Sequence, residues 1–146
     1  MTYILDSNIL IHLVRENPKA IDLIEKKGIF TINQGVISFA SLGESLAFSL
    51  KNKWGVAKRE RLETYFKITP TIDIAGRQLA DAYAEIDAFS QGRHPTLVST
   101  FTARNMGKND LWIAATTHVY KATLLTTDND FDHLMPDFLT VEKIDI

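Results

Sequence analysis

The sequence predicts an α/β fold with a parallel sheet, on three observations. Short apolar stretches alternate with longer segments of helical period, the order that parallel strands and their helical crossovers produce. The 146 residues, 45% of them hydrophobic, suffice for one domain over residues 1–146 with a full core. The first apolar stretch, Tyr3-Ile4-Leu5, runs straight into Asp6, and open α/β sheets place their ligands at strand carboxyl ends.

Residues 2–6 read as a short buried strand. From Ser7 to Glu16, Ile9, Leu10, Leu13 and Val14 recur at helical spacing. Pro18 opens a second helix with Ile21, Leu23 and Ile24 apolar, ending at Gly28. Val36-Ile37-Ser38-Phe39 is the next strand. Ser41-Leu42-Gly43-Glu44 matches a capping box, so a helix is expected from Ser41 to about Lys51. Trp54-Gly55 breaks it, and Val56 to Phe66 forms another.

Pro70 within Ile68–Ile72 marks an edge strand or a strand end. Ile74 to Phe89 is the longest helical pattern, with Leu79, Ala82, Tyr83 and Ile86 on one side. Gln91 to Gly107 has no clean period and contains Gly92 and Pro95; it reads as a loop with one helical turn at Leu97–Phe101. Loops this long are uncommon unless they serve a function. Asn109 to Tyr120 is a helix, Ala122 to Thr127 a strand, Asp130 to Leu134 a helical turn and Leu139 to Val141 a last strand.

The composition excludes several classes. Zero cysteines rule out a disulfide framework and thiolate metal sites. No apolar run approaches the ~20 residues of a membrane helix, and no basic-then-apolar leader opens the chain; a cytoplasmic location is expected. A net charge of −2 does not announce a nucleic-acid binder. The cations are nevertheless clustered, with Arg93, Arg104 and Lys108 flanking the long loop. Those three are candidate phosphate contacts, and a solvated surface is the plainer reading of each cluster. Phe101 in the same loop is a buried anchor, or else a stacking platform for an unpaired base.

Four acids stand beside apolar segments, and each alone has an adequate structural role. Asp6 suits a helix N-cap, and Glu44 is the glutamate of the capping box. Asp110 follows Asn109 at a helix start, where acids complement the dipole. Asp128 ends a strand before a turn. In a doubly wound sheet, however, all strand carboxyl ends lie along one edge. Four carboxylates gathered there would raise one another's pKa unless a cation neutralised them. Oxygen ligands completed by water suit Mg²⁺ or Mn²⁺, and such a centre suits phosphodiester hydrolysis by a metal-activated water. His12, His94, His118 and His133 lack metal spacing and read as structural or surface residues.

The stretch Ile4-Leu5-Asp6-Ser7-Asn8-Ile9-Leu10 resembles the start of PIN-domain nucleases. So does Ile37-Ser38 running into Ser41-Leu42-Gly43-Glu44. Asn109-Asp110-Leu111-Trp112-Ile113-Ala114-Ala115 and Leu125-Thr126-Thr127-Asp128-Asn129-Asp130-Phe131 are similar to the family's third and fourth motifs. Size and motif style resemble the VapC toxins of bacterial toxin–antitoxin pairs. The resemblance implies a three-layer α/β/α sandwich with a central parallel sheet, and a Mg²⁺- or Mn²⁺-dependent endoribonuclease inhibited by a cognate antitoxin. It implies Asp6, Glu44, Asp110 and Asp128 as catalytic and metal-binding residues. Ser7 or Asn8 would support the first acid, Thr126 would orient the last, and Asp130 is a substitute or outer group. A homodimer is implied as well, with Phe48 and Trp54 as candidate exposed contacts that could equally be core. The Gln91–Gly107 stretch is longer than in the family's shorter members.

Rival readings are a non-catalytic PIN-fold module that binds RNA or a partner, and a phosphate-handling receiver. A receiver needs an acidic pair after its first strand, where this chain has Asp6 followed by Ser7. No GxxxxGK[ST] segment supports nucleotide binding.

Overall fold

The computed structural model describes residues 1–146. Five strands, β1 (Thr2–Leu5), β2 (Gln34–Ser38), β3 (Thr71–Ile72), β4 (Thr123–Thr126) and β5 (Thr140–Lys143), are joined by six helices. These are α1 (Ser7–Val14), α2 (Pro18–Lys26), α3 (Phe39–Lys51), α4 (Val56–Ile68), α5 (Arg77–Ser90) and α6 (Lys108–Val119). The sheet order is β3-β2-β1-β4-β5 and every pairing is parallel. Ile4 stands level with Val36 on one side and Leu124 on the other.

Burial explains this order. Strands β1 and β4 are buried at nearly every position because both faces are covered. On one face Ile4, Val36 and Leu124 pack against α5 and α6 through Ile86, Phe89, Leu111 and Ala115. On the other Tyr3, Leu5, Ile37 and Leu125 pack against α1 and α2 through Ile9, Leu13, Ala20 and Ile24. The result is an α/β/α sandwich.

The direction in which strands are added reverses at β1, because β2 and β3 are added to one side and β4 and β5 to the other. The crevice at the carboxyl ends of β1 and β4 is therefore the topological switch point, where open α/β sheets bind ligands. Asp6 follows β1 there and Asp128 follows β4.

Three sequence expectations need correction, and one open alternative is settled. Helix α3 starts at Phe39, not Ser41, because Ser38 is its N-cap and accepts the Ser41 amide at 3.2 Å. Glu44 then lies in the second turn, one turn too far along to close a capping box. Helix α5 starts at Arg77 rather than Ile74, since Gly76 at φ +92°, ψ 153° takes a backbone conformation only glycine adopts freely. No helical turn forms at Leu97–Phe101. Trp54, offered above as exposed or core, is core: 7% exposed, packed with Val14 and Leu62, and edge-on to half-buried Phe48.

Other expectations hold. Pro70 precedes the two-residue edge strand β3. Asn17 and Pro18 start α2 together, the Asn17 side chain accepting the amides of Lys19 and Ala20. No helix is long and apolar enough to cross a membrane.

Candidate active site

Asp6 lies where β1 becomes α1 and is 3% exposed. It is the N-cap of α1, as its sequence position suggests, but its capping bond reaches only the Ser7 amide, at 2.8 Å. Its second oxygen accepts the Thr126 hydroxyl at 2.7 Å and the Asn8 amide at 3.2 Å. Burial raises its pKa, the charge of Asp128 raises it further, and bonds from Thr126, Ser7 and Asn8 pull it back.

Asn8 ties the first acid to the last. Its side-chain nitrogen also donates to Asp128 at 3.1 Å, and its oxygen accepts the Thr127 amide at 3.3 Å. Thr126 accepts the Asp128 amide at 3.0 Å while donating to Asp6. The two acids are thus held by one hydrogen-bond network across the β1–β4 crevice, and neutral donors separate their charges.

Glu44 enters from the second turn of α3. Ser7 Oγ donates to it at 3.5 Å, so Ser7 touches Asp6 through its backbone and Glu44 through its hydroxyl. Burial and then the charge of Asp6 raise the Glu44 pKa, partly offset by hydrogen bonds from Asn109 and Ser7. Asp110 enters from the first turn of α6. Burial, then the charges of Asp6, Glu44, Asp130 and Asp128, push its pKa up to about 7. Asp128 is raised by burial and by Asp130.

All four acids therefore face the same crevice, and the charges of Asp6, Glu44 and Asp128 all act on Asp110. None is ion-paired: every salt bridge in the molecule involves other carboxylates. No three of these side chains converge on one point at coordinating distance, and Asp6 spends both oxygens on protein donors. The donor set of hard carboxylate oxygens with no thiolate or imidazole fits Mg²⁺ or Mn²⁺.

The long loop borders this site. Residues Arg104 to Gly107 and Asp130 enclose a hollow beside Asp110, with Arg104 paired to Asp130 at 3.4 Å. Arg93 and Lys108 are exposed and form no ion pair; Arg93 lies at the far end of the loop, just past α5, its amide donating to Ala88 O in the last turn of that helix. The loop is pinned to its own base. The Arg104 amide donates to Ser90 O at 2.8 Å and Ser90 Oγ donates to Arg104 O at 3.1 Å. Phe101 packs edge-on against Phe89 and His133, so it is an anchor.

The histidines serve structure, as expected. His118 bonds Phe138 O and His133 bonds Ser90. His133 has a lowered pKa from burial and from Arg104. Sequence reasoning missed Asn8 as a link to Asp128, Asn109 as a donor to Glu44, and Ser90 with His133 as the loop's fastening. Only Asn8 carried a signal, its place two residues after Asp6.

The fold recurs in solved toxin–antitoxin structures. The Rickettsia felis VapBC2 structure, bound to a DNA fragment from its promoter, matches with a TM-score of 0.76 at 24% identity, covering 99% of this chain and 100% of that one. VapBC-1 from nontypeable Haemophilus influenzae gives 0.72 at 21%, covering 98% of each chain. FitAcB from Neisseria gonorrhoeae gives 0.72 at 18%, covering 95% of each. No curated protein matches the sequence. The model of the PIN domain matches residues 3–135, nearly the whole chain and all four acids of the crevice. The chain belongs to the PIN domain family.

Proposed function

We propose that this protein is a metal-dependent endoribonuclease of the VapC type, the cytoplasmic toxin of a type II toxin–antitoxin pair. Asp6, Glu44, Asp110 and Asp128 are its catalytic and metal-binding residues. The observation that supports this reading best is the unpaired convergence of the four acids, every one with a raised pKa, at the switch point of the sheet. A purely structural set of helix caps would not need to share a crevice.

Asp6, Glu44, Asp110 and Asp128 would hold a Mg²⁺ or Mn²⁺ ion, which would supply charge neutralisation at a phosphate and ease deprotonation of a water nucleophile. The chain's own groups do the positioning. Thr126 and Ser7 fix Asp6, Asn8 sets its distance from Asp128, and Ser7 steadies Glu44. Asp110, pushed up to about 7, is part protonated near neutrality and so ionises readily beside a positive charge. Asp130 is an outer group that orients Arg104. Arg93, Arg104 and Lys108 contact RNA phosphates, which favours binding without reading sequence.

The same acidity fits inhibition by a cognate antitoxin, since an uncompensated carboxylate cluster attracts an arginine or lysine from a partner through charge-assisted bonds. The structures of similar fold from Rickettsia felis and Haemophilus influenzae are VapBC complexes, which supports such a partner. A homodimer completes the assignment.

The test is cleavage of total cellular RNA in Mg²⁺ or Mn²⁺, against EDTA and against Asp110→Asn. Cleavage should vanish in EDTA and fall more than about 100-fold in the variant, since even outer-shell groups at metal sites are worth 10–100-fold. Undiminished cleavage by the variant contradicts the assignment.

A further inference from the structure

Arg104 is held at its backbone by a buried polar chain. Ser90, the last residue of α5, is fully buried and binds both main-chain groups of Arg104. The Arg104 amide donates to Ser90 O at 2.8 Å, and Ser90 Oγ donates to Arg104 O at 3.1 Å. A serine hydroxyl has one proton, and that second bond uses it. The 2.8 Å contact between Ser90 Oγ and His133 Nε2 is therefore satisfied only by a ring protonated on Nε2. His133 Nδ1 is then a bare nitrogen, buried without a protein partner. Burial and the charge of Arg104 lower the His133 pKa, which favours this neutral ring. The hydrogen bonds run in one direction, from imidazole to hydroxyl to carbonyl, and end on Arg104.

This chain joins the two segments that border the hollow beside Asp110. Arg104 to Gly107 line that hollow from the loop, and Asp130 lines it from the segment after β4. His133 lies on the same segment as Asp130, in the helical turn Asp132–Leu134. Closing the loop does not need the chain. Phe101 already packs edge-on against Phe89 at 5.3 Å and His133 at 4.9 Å, and Ser99 Oγ donates to Phe89 O at 2.9 Å. What the chain adds is the placement of Arg104, whose guanidinium stands 3.4 Å from Asp130 at the hollow. A planar guanidinium binds phosphate as a fork, so its worth depends on aim.

We propose that Ser90 and His133 are positioning residues that act through the Arg104 backbone, aiming its guanidinium at an RNA phosphate beside Asp110. The proposal takes its substrate from the nuclease reading, and neither residue itself lines the hollow.

Filter binding of poly(U) in EDTA tests it on the full chain, since phosphate contacts carry no base information. Ser90→Ala should weaken binding about 10-fold, the worth of one charge-assisted contact. In an Arg104→Ala background the same substitution should change affinity by less than ~2-fold, because the two residues act as one unit. His133→Leu should behave like Ser90→Ala. His133→Gln, whose amide nitrogen can donate to Ser90 Oγ in place of Nε2, should bind within ~2-fold of wild type. Circular dichroism confirms that each variant is folded, and the two His133 variants decide if Ser90→Ala does not fold. Equal losses with and without Arg104 would reduce Ser90 to loop structure and overturn the proposal. Wild-type binding by Ser90→Ala or His133→Leu, or no rescue by His133→Gln, overturns it too. Cleavage of total cellular RNA by the wild type in Mg²⁺ is read separately. A protein that couples Ser90 to Arg104 yet cuts no RNA contradicts the nuclease reading and leaves the positioning role standing.

Discussion

Replacing Asp110 by Asn should make the cation-free protein more stable, not less. Its carboxyl is pushed from an ordinary 3.8 up to about 7 by burial and by four neighbouring acids. At about 1.36 kcal/mol per pKa unit, ionising it in the folded state costs roughly 4 kcal/mol above pH 7. The group is only half buried, so solvent screening cuts that to roughly 2 kcal/mol. Asn forgoes a first-turn charge worth ~0.3–1 kcal/mol, leaving a net gain of about 1 kcal/mol, or ~2–4 °C in melting temperature. The sign follows from the raised pKa. The favourable contribution is complete below the unfolded value near 3.8 and is lost as pH rises through about 7. The variant's advantage in EDTA should therefore be small near pH 4 and largest near pH 8. Thermal melts across that range, with and without Mg²⁺, are the assay. Added Mg²⁺ should raise the wild-type melting temperature and leave the variant's unchanged. A variant less stable than wild type at pH 8 in EDTA, or a difference flat with pH, would refute the reasoning and return Asp110 to the role of a helix-start acid.

Three further outcomes are expected. Thr126→Val removes the hydroxyl that donates to Asp6 and accepts the Asp128 amide; leaving those groups unsatisfied should cost about 1–3 kcal/mol in urea unfolding, and cation affinity should fall with it. Ser38→Ala should cost about 1 kcal/mol as the loss of the α3 N-cap, whereas Ser41→Ala, under the original capping-box reading, would have cost that much instead; paired denaturation curves decide. Arg104→Ala should lower RNA affinity uniformly across sequences and reduce the slope of log K against log salt by about 1, measured by filter binding of RNA to a cleavage-dead protein.

The comparison of sequence with structure divides along the reach of the interactions. Strands β1 and β4 were legible because full burial forces an apolar run, and Asp6 was legible because it ends one. The start of α3 was not. Ser38 and Ser41 both offer a capping hydroxyl, and nothing local ranks Ser41-x-x-Glu44 below Ser38. Pairing of Ser38 with Ile72 in the sheet fixes where the strand ends, and a pattern four residues wide cannot contain that. The shift changes the meaning of Glu44, freeing it from a capping role. The link from Asn8 to Asp128 spans 120 positions, so only the fold reveals it. The Gln91–Gly107 loop is held by Ser90 and His133 rather than by any period of its own. Conversely, Phe39, Leu46 and Leu50 of α3 lay open in the sequence, but only the structure shows that they face solvent.

The central claim is that four acids, one just after β1, one in α3, one in α6 and one just after β4, make one cation site. Calorimetric titration of Mn²⁺ into wild type and into Asp6→Asn, Glu44→Gln, Asp110→Asn and Asp128→Asn tests it most directly. The account predicts a single binding event in the wild type that all four substitutions weaken, each by at least roughly 10-fold, or about 1.4 kcal/mol. A variant that retains wild-type affinity would remove that residue from the site. Retention by two or more would contradict the claim itself.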